Sequence, residues 1–251
     1  MKKLLTTVAM AASFATVASA DFARVEMGVG AWVQAPSGKI TYDVNGANGS
    51  NTSNEKEETT GYAWLLVKHP LPIIPNLRVE YAQIKDTGVA TGTFKNFVAS
   101  GGATSLDITQ FDIIPYYNIL DNTFWMTIDL GLDIKVMNSK FTADGVTISG
   151  VPTASYEDTT TIALPLLYAR GRVEIPFTGI GVEADVKYVS YDSNTVYDAR
   201  AKVDYTLGFI PVIQPAIEIG YRVQHIETNG DTEAAINMDF KGVYAGLMLR
   251  F

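Results

Sequence analysis

A chain without cysteine must leave hydrolysis to histidine, serine, threonine and the acids, and this one has only two histidines, His69 and His225. A histidine that takes a proton from water or a hydroxyl needs a carboxylate to orient its ring. His225 has Glu227 two residues on, with Asp192 and Asp231 in segments that end near it once the strands are laid out. That set permits a hydrolase centred on His225. His69 precedes Pro70 in a proline-rich turn at the opposite end. No His-Glu-x-x-His zinc pair, P-loop or Gly-x-Ser-x-Gly elbow occurs. Gly28-Val29-Gly30 lies inside an alternating segment, where glycine makes room rather than cradling a phosphate. The chain is therefore read as non-enzymatic, with no metal and no cofactor, and the His225 chemistry stands as the alternative.

The elements that would position these residues follow a period of two. Successive strand residues point to opposite faces. In TVYDARAKVDYTL (195–207) the apolar set Tyr197, Ala199, Ala201, Val203, Tyr205 and Leu207 opposes Asp198, Arg200, Lys202, Asp204 and Thr206. A helix would scatter those charges around its circumference. Segment 24–34 turns Arg24 and Glu26 to the face opposite Val25, Met27 and Val29. Segment 125–136 does the same with Asp129, Asp133 and Lys135. Arg170, Arg172 and Glu174 share a face in 167–175, as do Glu183, Asp185 and Lys187 in 180–188. Glu218 and Arg222 follow in 216–224. Segments 62–69, 77–86 and 106–117 alternate less regularly, and 240–251 is the last. That makes ten antiparallel strands, with eight to twelve as bounds. The stretches 35–61, 87–105 and 137–159 read as long loops, the first of them polar and mobile. GKITYDV (38–44) hints that some strands continue further. The short connections 70–76, 118–123, 176–179 and 208–215 hold most of the prolines, which suit turns.

The first twenty residues have the form of a cleaved export signal. Lys2 and Lys3 precede an apolar run, and Ala18 and Ala20 are the small residues a signal peptidase reads. The run is too short to span a membrane as a helix. Residues 1–20 are thus expected to be removed, leaving 21–251 as one domain. Losing two lysines takes the net charge from −8 to −10, which argues against nucleic acid as a partner. Nearly half the chain is hydrophobic, yet after Ala20 the apolar residues are dispersed one by one along strands. That is the pattern of a barrel with lipid outside and a polar lumen. Aromatic residues gather near strand ends: Phe22, Tyr117, Phe124, Trp125, Phe177, Tyr205, Phe209 and Phe251 at one end, Trp32, Tyr62, Tyr191 and Tyr197 at the other. This arrangement fits two interfacial girdles.

The C-terminus, Tyr244-Ala-Gly-Leu-Met-Leu-Arg-Phe251, resembles the C-terminal signal of outer-membrane barrel proteins, with Gly246, Leu249 and Phe251 in its places. Over its length the chain resembles the small, uncharacterised outer-membrane β-barrel proteins of proteobacteria; the turn-strand units at 72–82 and 210–222 add to the likeness. The resemblance implies a Gram-negative outer-membrane location, both termini in the periplasm, and recognition by the barrel-assembly machinery. Outer-membrane lipid and lipopolysaccharide would surround the barrel. It implies no catalytic residues.

Near-equal numbers of acids and bases on the inner face leave two readings of the lumen. Paired long side chains cross it and close it, or they line a narrow wet pore for ions or small polar solutes. Unpaired charge in a dry interior is costly, so pairing or water is required. The expected function is a structural barrel or narrow pore. The alternatives are a surface hydrolase or lipid A-modifying enzyme using His225, and an adhesin or receptor acting through 35–61 and 137–159.

Overall fold

The computed structural model describes residues 23–208, 213–229 and 234–251; the cleavage positions Ala18 and Ala20 lie outside them, as do Phe22, Phe209 and Asp231. The described chain is all antiparallel strand: β1 Arg24–Tyr42, β2 Gly49–Ser53, β3 Glu58–Lys68, β4 Asn76–Thr93, β5 Val98–Thr123, β6 Met126–Ile148, β7 Val151–Ile175, β8 Ile180–Tyr191, β9 Asn194–Thr206, β10 Gln214–Glu227 and β11 Ala235–Arg250. Neighbours in sequence pair up and down around a ring, which β1 and β11 close from Glu26↔Arg250 to Thr41↔Ala235. The backbone of Phe251 completes the seam, its N–H donating to the Val25 carbonyl at 2.9 Å.

β2 and β3 share one place in this ring. Both lie between β1 and β4, β3 toward the end that carries the termini and β2 toward the far end. Eleven strands therefore occupy ten staves, the number the alternation implies. No described segment is helical.

The burial pattern is inverted relative to a water-soluble domain. Leu132, Leu167, Ile219 and Leu247 are all more than half exposed on the outer wall, while Lys135, Lys187, Asp129 and Asp198 are fully buried inside. An apolar exterior around a charged interior is the arrangement lipid demands of a barrel. Above that apolar band the outer wall becomes polar, with Lys39, Lys85, Asp107, Lys140, Glu157 and Asp239 facing out.

Three expected loops are largely strand. Residues 98–105 belong to β5, 137–148 to β6 and 151–159 to β7, while 35–61 contains the end of β1, all of β2 and the start of β3. These extensions lie beyond the apolar band, where the outward face no longer meets an apolar surrounding. The alternation that marks a membrane strand is absent there, but backbone pairing does not need it. The wing they form has its own small core: Phe94, Phe97 and Tyr156 stack at 4.6 Å between successive rings over Ala90, Ala99, Ala143 and Val146. The expected turn at 118–123 is instead the end of β5, and the chain reverses at Phe124-Trp125. Both have left-handed φ, 53° and 60°, the signature of a type I′ hairpin turn.

Phe124, Trp125 and Phe177 stand exposed at the terminal end, and Tyr188 and Tyr191 at the other. Trp32 and Tyr62 do not join that outer girdle. Both point into the lumen and are buried, because they share the inward parity of Glu26 and Trp64.

Candidate functional site

The inner face gathers the charged residues into one continuous network. Lys135 reaches Asp112 at 2.8 Å and Asp198 at 3.2 Å. Lys187 joins Glu80 and Asp112. Arg222 grips Asp198 through both Nε and Nη2, at 2.9 and 2.6 Å. Arg200 pairs with Asp185 at 2.8 Å and also reaches Glu80. Glu183 takes Arg170 at 2.7 Å, Arg78 at 3.3 Å and Lys202 at 3.5 Å; Arg170 continues to Asp129. Nearer the termini, Asp204 accepts from Arg172 and Arg250, both at 2.6 Å. Glu26 lies against Arg24 and Arg250, and Glu174 accepts from Arg24 at 3.0 Å. Glu218 is held by Lys202 at 2.8 Å, by the Tyr62 hydroxyl at 2.7 Å and by the Trp64 indole at 3.1 Å.

Many of these links join opposite walls. Arg78 and Glu80 on β4 meet residues of β8 and β9, Lys135 on β6 meets β9, and Tyr62 and Trp64 on β3 meet β10. Rings reinforce them: Arg78 and Lys202 lie over Trp64 at 5.0 and 4.5 Å, and Arg222 over Trp32 at 4.7 Å. Each such contact offsets the desolvation of a charge that would be prohibitive alone. Asp133 is the exception, fully buried with neither carboxylate oxygen accepting a hydrogen bond among the described residues.

Toward the far end the charges give way to an apolar layer. Ile84, Ile108, Met137, Leu166, Val196, Ile226, Met238 and Phe240 converge there. Ile84, Met137 and Ile226 each lie two or four positions along their strands from Glu80, Lys135 and Arg222, so the layer sits directly above the network. Crossed ion pairs and, above them, packed apolar side chains thus lie at two levels of the interior. Near Trp32, Trp64, Arg78 and Arg222 there is room for a single water-sized species.

The histidines stand outside this interior. His225 faces outward from β10, beyond the apolar band. Its Nδ1 lies 3.0 Å from Asp239 of β11 and its Nε2 3.7 Å from Glu227, with the ring stacked on Tyr197 at 5.1 Å. The partner is Asp239, which sequence spacing does not single out, in place of Asp192. β11 brings it there by pairing His225 with Asp239 across the strand. Ser37 of β1 is the next residue in that row, on the far side of Asp239 from the imidazole. It is therefore not a nucleophile for His225. His69 braces its own turn. Its Nδ1 accepts from the Leu71 N–H at 3.2 Å, so the ring proton sits on Nε2 and is donated to the Pro75 carbonyl at 3.1 Å.

Beyond the middle of β4, Asp86 is buried and accepts from the Ser53 hydroxyl at 2.7 Å. Loss of solvent pushes its carboxyl up from the ordinary range, against the pull of Ser53.

The strands close into a continuous ring with lipid-compatible side chains outside and paired charge within. The fold is that of an outer-membrane β-barrel. The outer membrane protease OmpT from Escherichia coli matches with a TM-score of 0.55 over 94% of this chain and 100% of its own, at 13% identity. A FadL homologue of Pseudomonas aeruginosa aligns over 96% of this chain and 92% of its own at 10% identity, with a TM-score of 0.31. The toluene transporter TodX of Pseudomonas putida aligns over 95% and 91% at 8% identity, with a TM-score of 0.28. No family model and no curated protein matches the sequence.

The likeness to OmpT corrects one expectation. The absence of local catalytic motifs points to a non-enzymatic chain, but an outer membrane protease is built on the same fold. Strand register can bring together residues far apart in sequence, as it does His225 and Asp239 here, and no local motif records such a pair.

Proposed function

We propose that this chain is an integral protein of the Gram-negative outer membrane that acts from its outer end, with a lumen closed to solutes. The observation that carries this reading is the crossing of Lys135, Lys187 and Arg200 to acids on other walls, beneath the apolar layer. The termini then lie in the periplasm, and the apolar band meets lipid and lipopolysaccharide. Gly246, Leu249 and Phe251 would serve as the signal for the barrel-assembly machinery. Purified, folded protein in a planar bilayer should give no steady single-channel steps; regular steps would defeat the closed-lumen reading.

His225 and Asp239 favour a second, more specific reading, a surface hydrolase. Asp239 accepting Nδ1–H leaves Nε2 free to take a proton from water. The water oxygen then attacks a carbonyl, and the proton returns to the leaving group. Because His225 faces outward, its substrate would come from the membrane surface, not from the lumen. His225→Ala should alter the surface protein or lipid A profile of cells expressing the barrel. Unchanged profiles in the presence of folded variant would remove this reading.

A further inference from the structure

The wing above the barrel has one free side. β6 covers β7 along its length, from Met126↔Val173 to Ile148↔Val151. On its other side β7 pairs with β8 only from Leu167↔Tyr188 to Ile175↔Ile180. Residues 151–166 therefore have a strand on one side alone among the described residues. In antiparallel geometry, alternate residues of that stretch turn N–H and C=O groups into solvent. The side chains of 157–163 are exposed on both faces, so nothing overhangs the edge there. The turn at Asp192-Ser193 marks the top of the next hairpin, where the wall steps down.

An edge of this kind takes up an extended backbone by strand addition. The surrounding charge selects among occupants. Asp144 on β6, Glu157 and Asp158 on β7 and Asp192 in the neighbouring turn are all exposed. The nearby Lys140 is already engaged by Glu157 at 2.9 Å. A second copy of this chain would set the same acids against these, and like charges directly opposed across a strand pair are destabilising. Pro152 and Pro165 bracket the edge and limit pairing at its ends.

We propose that the free edge of β7, residues 153–164, binds an extended cationic peptide segment of another protein by β-strand addition. This surface is separate from His225 and does not depend on the hydrolase reading. The test uses the whole folded barrel in detergent micelles and three synthetic probes. One peptide alternates lysine with valine and threonine, one is the same sequence with alternate backbone nitrogens methylated, and one replaces lysine with glutamate. The lysine peptide should bind saturably and slow amide exchange within 151–166. The methylated peptide should bind about tenfold or more weakly, the effect of losing one or two backbone hydrogen bonds, and so should the glutamate peptide. Asp144→Lys, an exposed change on β6 that leaves the edge backbone of β7 alone, should weaken the lysine peptide. Equal binding of the methylated peptide would mean charge attraction only and overturn the proposal. Equal binding of the glutamate peptide, protection elsewhere on the barrel, or no binding would also overturn it.

Discussion

Lys135 on β6 and Asp198 on β9 meet at 3.2 Å although three strand positions separate them around the wall. A contact over that span cuts across the lumen. It ties two faces of the cylinder together while Asp112 and Arg222 complete the coordination of each charge.

Removing one member of this group should be far worse than removing a matched pair. Lys135→Met leaves Asp112 and Asp198 short of a donor in a dry interior, at a cost of about 3–5 kcal/mol. Lys135→Met combined with Asp112→Leu should recover much of that loss, since apolar side chains of similar size replace buried ion pairs at little cost. Denaturant unfolding of the refolded barrel in micelles measures both. A double variant no more stable than the single one would mean the network holds less together than its geometry implies.

The outer wall makes the opposite demand. Val203 is exposed on β9 between the inward Lys202 and Asp204. Val203→Arg should cost roughly 2–4 kcal/mol if it sits near the bilayer midplane, read as a reduced folded fraction in lipid vesicles. Wild-type folding would overturn the assignment of that face to lipid.

Asp86 gives a pH dependence with a definite sign. Its carboxyl is raised in the folded protein by burial. The stabilisation from its protonated form is complete below the unfolded value and is lost as pH rises through the folded one. Asp86→Asn keeps an acceptor for Ser53 but removes that loss. Denaturation midpoints measured from below the ordinary carboxylate range up to neutral pH should therefore fall less with pH in the variant. Parallel curves would reject the argument.

Phe251 closes the seam through its backbone bonds to Val25 and carries the aromatic end of the proposed assembly signal. Phe251→Ala keeps those backbone groups. It should slow insertion in a reconstituted assembly assay while leaving the unfolding midpoint of the finished barrel nearly unchanged. A lowered midpoint with normal insertion would make the ring a packing element instead.

Where lipid lies on one side and charge on the other, the architecture is legible in the sequence. Residues 195–207 alternate so strictly that no helix accommodates them, and ten staves follow from repeating that reading. Legibility stops at the edge of the apolar band. In 138–144 and 153–161 the outward face is polar as well, so strands held by their neighbours' backbones look like loops. The pairing of His225 with Asp239 is hidden for a different reason. Cross-strand neighbours are set by register, and a fourteen-residue separation spanning a turn carries no periodic mark. For Trp32 and Tyr62, aromatic type suggests an interface, whereas inward parity along β1 and β3 decides their place.

The stave shared by β2 and β3 divides the structure into two jurisdictions. The hoop below, which includes β3, answers to the lipid and to the charge network, and a residue changed there disturbs partners on the opposite wall. The rim above, where β2 sits beyond the break at 54–57, is held by β1 and β4 and by the Thr104 hydroxyl of β5, which donates to Asn51 at 2.6 Å. Substitutions within that break should therefore leave the ion pairs of the hoop in place, because no member of the network lies on it.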